Sequence, residues 1–338
     1  MPRMKIKMLF ILSSLALSLI VTTALSAQQP YGKEPLAHTY SIVAIDEETG
    51  EMGVAVQSHW FATGTLVIWG EPGVGVVATQ SFVNPAYGPE GLQLMGMGFS
   101  PKQAIEMLTA KDPGQQYRQI GMLDAQGRAH AFTGASCIEA AGHHIGEGYA
   151  VQANLMDNES VWPAMAKAFE NSAGQPLAER LLLAMEAAQA EGGDIRGKQS
   201  AALLVVGPER VDNPWEGRLA DLRVDDHPEP LKELRRLLTV HQAYTFMNEG
   251  DLAVEEGDME KAKAAYGAAE ELFPDNLEMQ YWHAVALANN GELQEALPLF
   301  GRIFRKGPNW KALTPRLTKN GLLNVSEEEL QQIMSAGD

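Results

Sequence analysis

From Tyr40 the chain carries apolar residues at the short period of a strand, and Tyr40 to Ile45 and Met52 to Ser58 flank the turn Asp46 to Gly50, which predicts a β-hairpin. Short β-rich runs follow at Thr65 to Trp69 and Val74 to Thr79, with Gly70 to Gly73 as the turn between them. The period then lengthens. Over Pro89 to Ala110, Leu92, Leu94, Met95, Ala104, Ile105 and Leu108 recur at helical spacing, and Ser100-Pro101 reads as a cap and first turn, so two short helices joined near Gly98 are predicted. Strands return at Gln119 to Asp124, Ala129 to Thr133 and Gly148 to Asn154. One helical stretch covers Ser160 to Ala190, with Leu177, Leu181, Leu182 and Met185 on its apolar face and Gly192-Gly193 at its end. Ser200 to Val206 is continuously apolar and is expected as a buried strand.

Strands, helices, strands, helices, strand is the order of an α+β domain in which helical layers sandwich the sheets. A doubly wound fold or a barrel would alternate strands and helices one by one. Gly207 to Pro230 is polar and rich in Pro, Asp and Arg, and is expected to bridge to a second part, with the boundary near residue 210. Beyond Leu231 the chain reads as helical and repeats itself: Gly257/Gly291, Ala262/Ala296, Tyr266/Phe300, Ala269/Ile303 and Pro274/Pro308 are each 34 residues apart, the tetratricopeptide period. Two repeats are too few to bury a core alone, so helices around Glu233 to Tyr244 and Glu327 to Ile333 are expected to cap them. Such an array presents a concave face to a peptide or protein partner; the alternative is that it props up the first part or makes a dimer.

Arg3, Lys5 and Lys7, the apolar run Met8 to Val21 and the small-residue exit Ala24-Leu25-Ser26-Ala27 make residues 1–27 a secretory signal, cut near Ser26 or Ala27. The mature protein is then periplasmic or secreted, without a stable membrane span. An uncleaved anchor is the alternative. The formal charge of −17 becomes −20 once those three cations leave, which disfavours nucleic acid and anionic lipid as partners. Cys137 is the only cysteine, so neither an intrachain disulfide nor a cysteine zinc site is available. His143-His144 and His130 lack the spacing of a metal set, and no metal or cofactor is expected. Serine-hydrolase elbows, Walker loops, His-Glu-x-x-His and dinucleotide-binding glycine motifs are all missing from the chain.

Thr39-Tyr-Ser-Ile-Val-Ala44, Gly53-Val-Ala-Val-Gln-Ser58, Val77-Ala-Thr-Gln80, Asn84-Pro-Ala-Tyr-Gly-Pro-Glu-Gly91, Asp124 to Cys137, Val151-Gln152-x-Asn154 and Gly192-Gly-Asp-x-Arg-Gly-x-Gln-Ser200 together resemble the family with domain of unknown function 1028, over roughly residues 38 to 206. The resemblance implies a four-layer α-β-β-α fold of the N-terminal-nucleophile (Ntn) hydrolase kind over residues 38–210. It also implies that the segment 211–240, around Leu222 to Pro230, is a linker of a type labelled as peptidoglycan-binding, followed by repeats over 241–338. The same superfamily chemistry would make Thr39 the nucleophile and its freed α-amino group, of ordinary pKa about 8, the base. That requires a second cut, at the His38–Thr39 bond, by an N-to-O acyl shift. Thr39 reads equally well as an ordinary strand residue.

Proteasome-like proteins carry an acid at the end of the second hairpin strand and a lysine soon after, where Gln57, Ser58 and His59 stand here, and no Lys occurs between Lys33 and Lys102. Ser58 and Arg196 are therefore the candidate catalytic helpers beside Thr39. Gln57, His59, Gln80, Asn84, Tyr87, Asp194, Gln199 and Ser200 are candidate binding residues, since polar side chains beside buried strands must find partners or face a cavity. Gly192-Gly193 suits a loop that presents amides to an oxyanion, or alternatively a helix end with Asp194 and Arg196 paired. Two functions follow: an exported amide hydrolase acting on a small amide, peptide or cell-wall fragment, or a non-catalytic ligand- or cell-wall-binding protein, with the repeats as an interaction module and a homo-oligomer as one form of partner.

Overall fold

The structure is a computed structural model describing residues 36–337, so the expected signal, residues 1–27, lies outside the described residues. The chain divides between Arg235 and Arg236 into two compact units.

In the first unit, β2 (Thr39–Ile45) and β3 (Met52–Ser58) form the expected hairpin, Thr39 opposite Ser58 and Ile45 opposite Met52. Its turn is fixed by the Asp46 carboxylate, which accepts the amides of Glu48 and Thr49, and by Gly50 at φ +74°, where a Cβ is strained. The hairpin is the centre of a six-stranded antiparallel sheet, ordered β11 (Arg218–Val224), β10 (Ser200–Val206), β3, β2, β9 (Tyr149–Ala153) and β8 (Gly142–Gly146). A second sheet runs β1 (Leu36–Ala37), β5 (Gly75–Phe82), β6 (Arg118–Asp124), β7 (Ala129–Thr133), with β4 (Ile68–Glu71) also on β5.

The two sheets face one another, and helices cover both outer faces. α1 (Tyr87–Gly96) and α2 (Pro101–Thr109) lie on the second sheet; α3 (Val161–Asn171) and α4 (Leu177–Ala190) lie on the first. This is the α-β-β-α layering expected from the order of elements. Gly53 has a packing role here, because a Cβ on it would stand 2.5 Å from Leu181 Cδ1 and 3.2 Å from Leu177 Cδ2. Its bare backbone seats α4 on the hairpin.

Strand alternation gives the space between the sheets two characters. At one end Val43, Val54, Val76, Leu123 and Leu204 form a dry core. At the other, Thr39, Ser41, Ser58, Gln80, Gln119, Gln152, Asn154 and Ser200 are buried together as a polar end. Polar groups withdrawn from water on this scale must be hydrogen-bonded to one another.

The structure departs from the sequence expectation in several places. Ser160 to Ala190 is two helices, broken where Gly174 takes φ +81° and Pro176 precedes α4. The run from Thr65 begins with the end of a 3₁₀ turn (Thr63–Thr65), and the strand starts only at Ile68. The expected bridge over Gly207 to Pro230 carries β11, which pairs with β10 along its length apart from a register shift between Val205 and Val206, so this part of it belongs to the sheet. β1 and β8 were not expected as strands.

In the second unit α6 (Met259–Leu272), α7 (Leu277–Asn289), α8 (Leu293–Lys306), α9 (Pro308–Lys319) and α10 (Glu327–Ser335) follow α5 (Pro230–Glu256), whose first turns belong to the first unit. The repeat residues do what their chemistry predicts. Gly257 and Gly291 follow α5 and α7 at φ +76° and +81°, while Ala262, Ala296, Tyr266, Phe300, Ala269 and Ile303 are buried. Glu233 to Tyr244 is not a separate cap but the first half of α5. The expected C-terminal cap is α10, which buries Ile333 in the core with Phe300 and Phe304. Among the described residues no helix is long and apolar enough to cross a membrane.

Gly53→Ala is expected to destabilise the first unit by about 1–3 kcal/mol through overpacking against Leu181. Urea unfolding measures this, and an unchanged midpoint would contradict the seating of α4 on the hairpin.

Candidate functional site

Thr39 starts β2 at the polar end of the sandwich and is fully buried, its hydroxyl donating to the carbonyl of Ala37 at 2.8 Å. The peptide carbonyl just before it is gripped from two sides: the His38 oxygen accepts from Ser58 Oγ at 2.5 Å and from Arg196 Nη2 at 2.8 Å. Arg196 is itself aimed by Asp194, whose side chain is fully buried and which takes Arg196 Nε and Nη2 on separate oxygens at 3.0 and 2.7 Å. Asp194 also accepts the backbone amides of Arg196 and His59. The loop Gly192 to Gly197 therefore delivers a guanidinium. Its amides at Gly192, Ile195 and Gly197 are spent on the Gln189, Leu155 and Asp194 carbonyls, and Asp194 and Arg196 are paired, the alternative that the sequence offered.

A chain of amide side chains fixes the other side. Gln80 Nε2 donates to the Thr39 carbonyl at 2.9 Å and to Gln119 Oε1 at 2.7 Å; Asn154 Nδ2 donates to the same Gln119 oxygen at 2.9 Å. Gln119 Nε2 in turn donates to the Ala153 and Gly142 carbonyls. These directions leave Asn154 Oδ1 as an acceptor, so the His38 ring, 2.7 Å away through Nδ1, must be the donor. Burial, assisted by nearby Arg196, holds the His38 pKa below its ordinary value, against the pull of the Asn154 bond and Asp194. The His38 ring also meets the Phe82 ring edge-on, centroids 5.6 Å apart.

The structure thus brings Thr39, Ser58, Gln80, Asp194 and Arg196 together, with His59 joined through its backbone. Gln57 faces the other way, because its β3 neighbour Ser58 takes the inner face: it accepts from the Tyr40 hydroxyl on the helix side, and its buried Nε2 has no partner among the described residues. Burial raises the Tyr40 pKa well above the phenol value. Ser200 lies one strand beyond Ser58 and bonds the Trp60 carbonyl and Thr63 amide, while Gln199 reaches Asp226. Asn84 caps the turn into α1 through the Ala86 amide, and Tyr87 donates to Asp112, which also holds Arg118. None of these four reaches Thr39. Sequence reasoning missed His38, Gln119 and Asn154 as site residues; for Gln119 and Asn154 the signal available was an amide side chain near the end of a buried strand.

An open cleft of about 1060 Å³ lies outside this cluster, lined by Cys137, His143, Leu155, Asp157 and Ile195 among others; no sequence-predicted site residue lines it. It adjoins the cluster through Ile195, which stands between Asp194 and Arg196. Burial raises the Cys137 pKa, the opposite of an activated thiol. Among the described residues no group of three or more metal-ligating side chains comes together.

Residues 39–234 match the model of a family of unknown function, DUF1028. The chain belongs to the DUF1028 family. A solved DUF1028 protein from Silicibacter pomeroyi is 32% identical, with a TM-score of 0.53, covering 60% of this chain and 88% of its own. The Anbu protein (ancestral beta-subunit) of Yersinia bercovieri aligns at 12% identity and a TM-score of 0.30, over 59% of this chain and 92% of its own. No curated protein matches. Residues 247–309 match a tetratricopeptide-repeat family, so a helical-repeat array follows the DUF1028 domain.

Gln119→Leu removes the shared partner of Gln80 and Asn154 and is expected to cost about 1–3 kcal/mol for each buried group left unpaired; loss of thermal stability in that range checks it. Because the folded-state pKa of His38 lies below 6.5, its contribution is full above that pH and is lost as pH falls below it, when the unfolded chain binds the proton first. Wild-type protein is therefore expected to lose stability relative to His38→Gln on acidification below pH 6.5, read as the difference between their urea midpoints.

Proposed function

We propose that the DUF1028 domain is an amide hydrolase of the N-terminal-nucleophile type, and that the form described is its uncut precursor. The observation that carries this is the double grip on the His38 carbonyl beside the Thr39 hydroxyl. A neutral hydroxyl and a cation, one held by sheet register and the other by Asp194, converge on the one peptide oxygen where charge would develop if Thr39 attacked.

In the first step Thr39 Oγ adds to the His38 carbonyl carbon, with Ser58 and Arg196 stabilising the oxyanion. The C–N bond breaks, the hydroxyl proton passes to the leaving nitrogen, and an ester joins His38 to Thr39 Oγ. Water hydrolyses the ester, leaving a carboxylate on His38 and a free α-amino group on Thr39. That amine, of ordinary pKa about 8, then supplies the base for attack on external amides without a lysine. Export through the 1–27 signal and a periplasmic or secreted location belong to the same proposal, as does cleavage of a small amide, peptide or cell-wall fragment. The helical repeats recruit or orient a protein partner, a role supported by a recess of about 380 Å³ bordered by Asp251, Trp282, Val285 and Leu322.

Full enclosure of Thr39 behind a leader built into the sheet favours a second reading, a ligand-binding protein that keeps its leader. Trapping separates the two. Freshly folded wild-type chain treated with hydroxylamine is expected to yield a hydroxamate on His38, Thr39→Ala none, and Arg196→Ala a yield slowed by about 10²–10³-fold. Absence of the adduct and of cleavage in the wild type would favour the binding protein.

A further inference from the structure

The segment just before Thr39 is held as a ligand would be. β1 pairs antiparallel with the end of β5, Leu36 opposite Phe82 and Ala37 opposite Ser81, by backbone alone. The His38 carbonyl lies between Ser58 and Arg196, and its side chain is buried against Asn154 and, at right angles, the Phe82 ring. Ala37 and His38 are both buried. Strand pairing, a carbonyl clamp and a buried side chain are three features that a separate peptide can reproduce.

We infer that the leader marks the acyl-side subsite of the mature domain, and that its substrates are extended peptides or peptide-like amides carrying a neutral hydrogen-bond donor in the side chain before the scissile bond. This rests on Thr39 acting as nucleophile. The substrate takes the place of Leu36 to His38, its backbone against Ser81 and Phe82. Thr39 Oγ adds to its carbonyl carbon, the amine departs with the proton relayed by the Thr39 α-amino group, and water releases the acid from the Thr39 ester.

The side-chain preference follows from the amide chain. Gln119 and the Thr39 carbonyl take the donors of Asn154, so Asn154 Oδ1 offers an acceptor and nothing else. Histidine or glutamine satisfies it. Leucine would leave that buried oxygen without its partner, and lysine or arginine would bring a second cation beside Arg196.

The test uses processed full-length protein and aminomethylcoumarin amides of acetyl-Leu-Ala-His, acetyl-Leu-Ala-Gln and acetyl-Leu-Ala-Leu. Release from the His and Gln compounds is expected to exceed that from the Leu compound by about tenfold or more in kcat/KM. In the same direction, self-cleavage should persist in His38→Gln and slow by a similar factor in His38→Leu. Equal rates on all three amides, in protein that does cut itself at Thr39, would overturn the subsite and leave the hydrolase standing. Protein that neither cuts itself nor releases any fluorophore would overturn both.

Discussion

Gln80, Gln119 and Asn154, three of the four amide side chains buried at the polar end between the sheets, must draw their hydrogen bonds from within the protein, and do so from one another and from backbone carbonyls. This requirement fixes much of the rest. Gln80 comes from β5, Gln119 from β6 and Asn154 from the end of β9, so satisfying them ties the second sheet to the first at one relative height. It also sets the direction of the Thr39 carbonyl and the donor nitrogen of the His38 ring. An apolar core at this end would hold the sheets together as firmly, but would orient nothing.

The site is built on this anchored end. β2 and β3 present Thr39 and Ser58 opposite each other by register, and the loop after α4 brings Arg196 to the His38 carbonyl from a position 158 residues away in sequence. Asp194 keeps the guanidinium directed at one oxygen, which restricts its freedom to pair elsewhere. A rigid polar cradle around a single peptide bond is an arrangement that suits preorganised chemistry and exceeds what packing alone requires.

What the sequence displayed and what it concealed divide along physical lines. Local signals were legible: the β2–β3 hairpin from alternation and its Asp-to-Gly turn, the α1–α2 break from Ser100-Pro101, and the helical repeat from five residue pairs at one offset. β11 was hidden because only Ala220 and Val224 of its seven residues are buried, leaving an edge strand that reads as polar linker. β8 was hidden by glycines and paired histidines, poor strand formers on an exposed edge. Thr39 was singled out by the family resemblance, Ser58 and Arg196 as its candidate helpers, and Asp194 as a separate polar residue beside buried strands. Their convergence was not legible, because long-range contacts leave no period in a sequence; nor was the use of His38, whose partners Asn154 and Phe82 are distant in the chain.

The most direct test of the proposed nucleophile is the intact mass and N-terminal sequence of the protein recovered from the cells that express it and from their medium. A chain beginning at Thr39 is the predicted result. A chain beginning near Gln28, with Leu36 to His38 still in place, would contradict it.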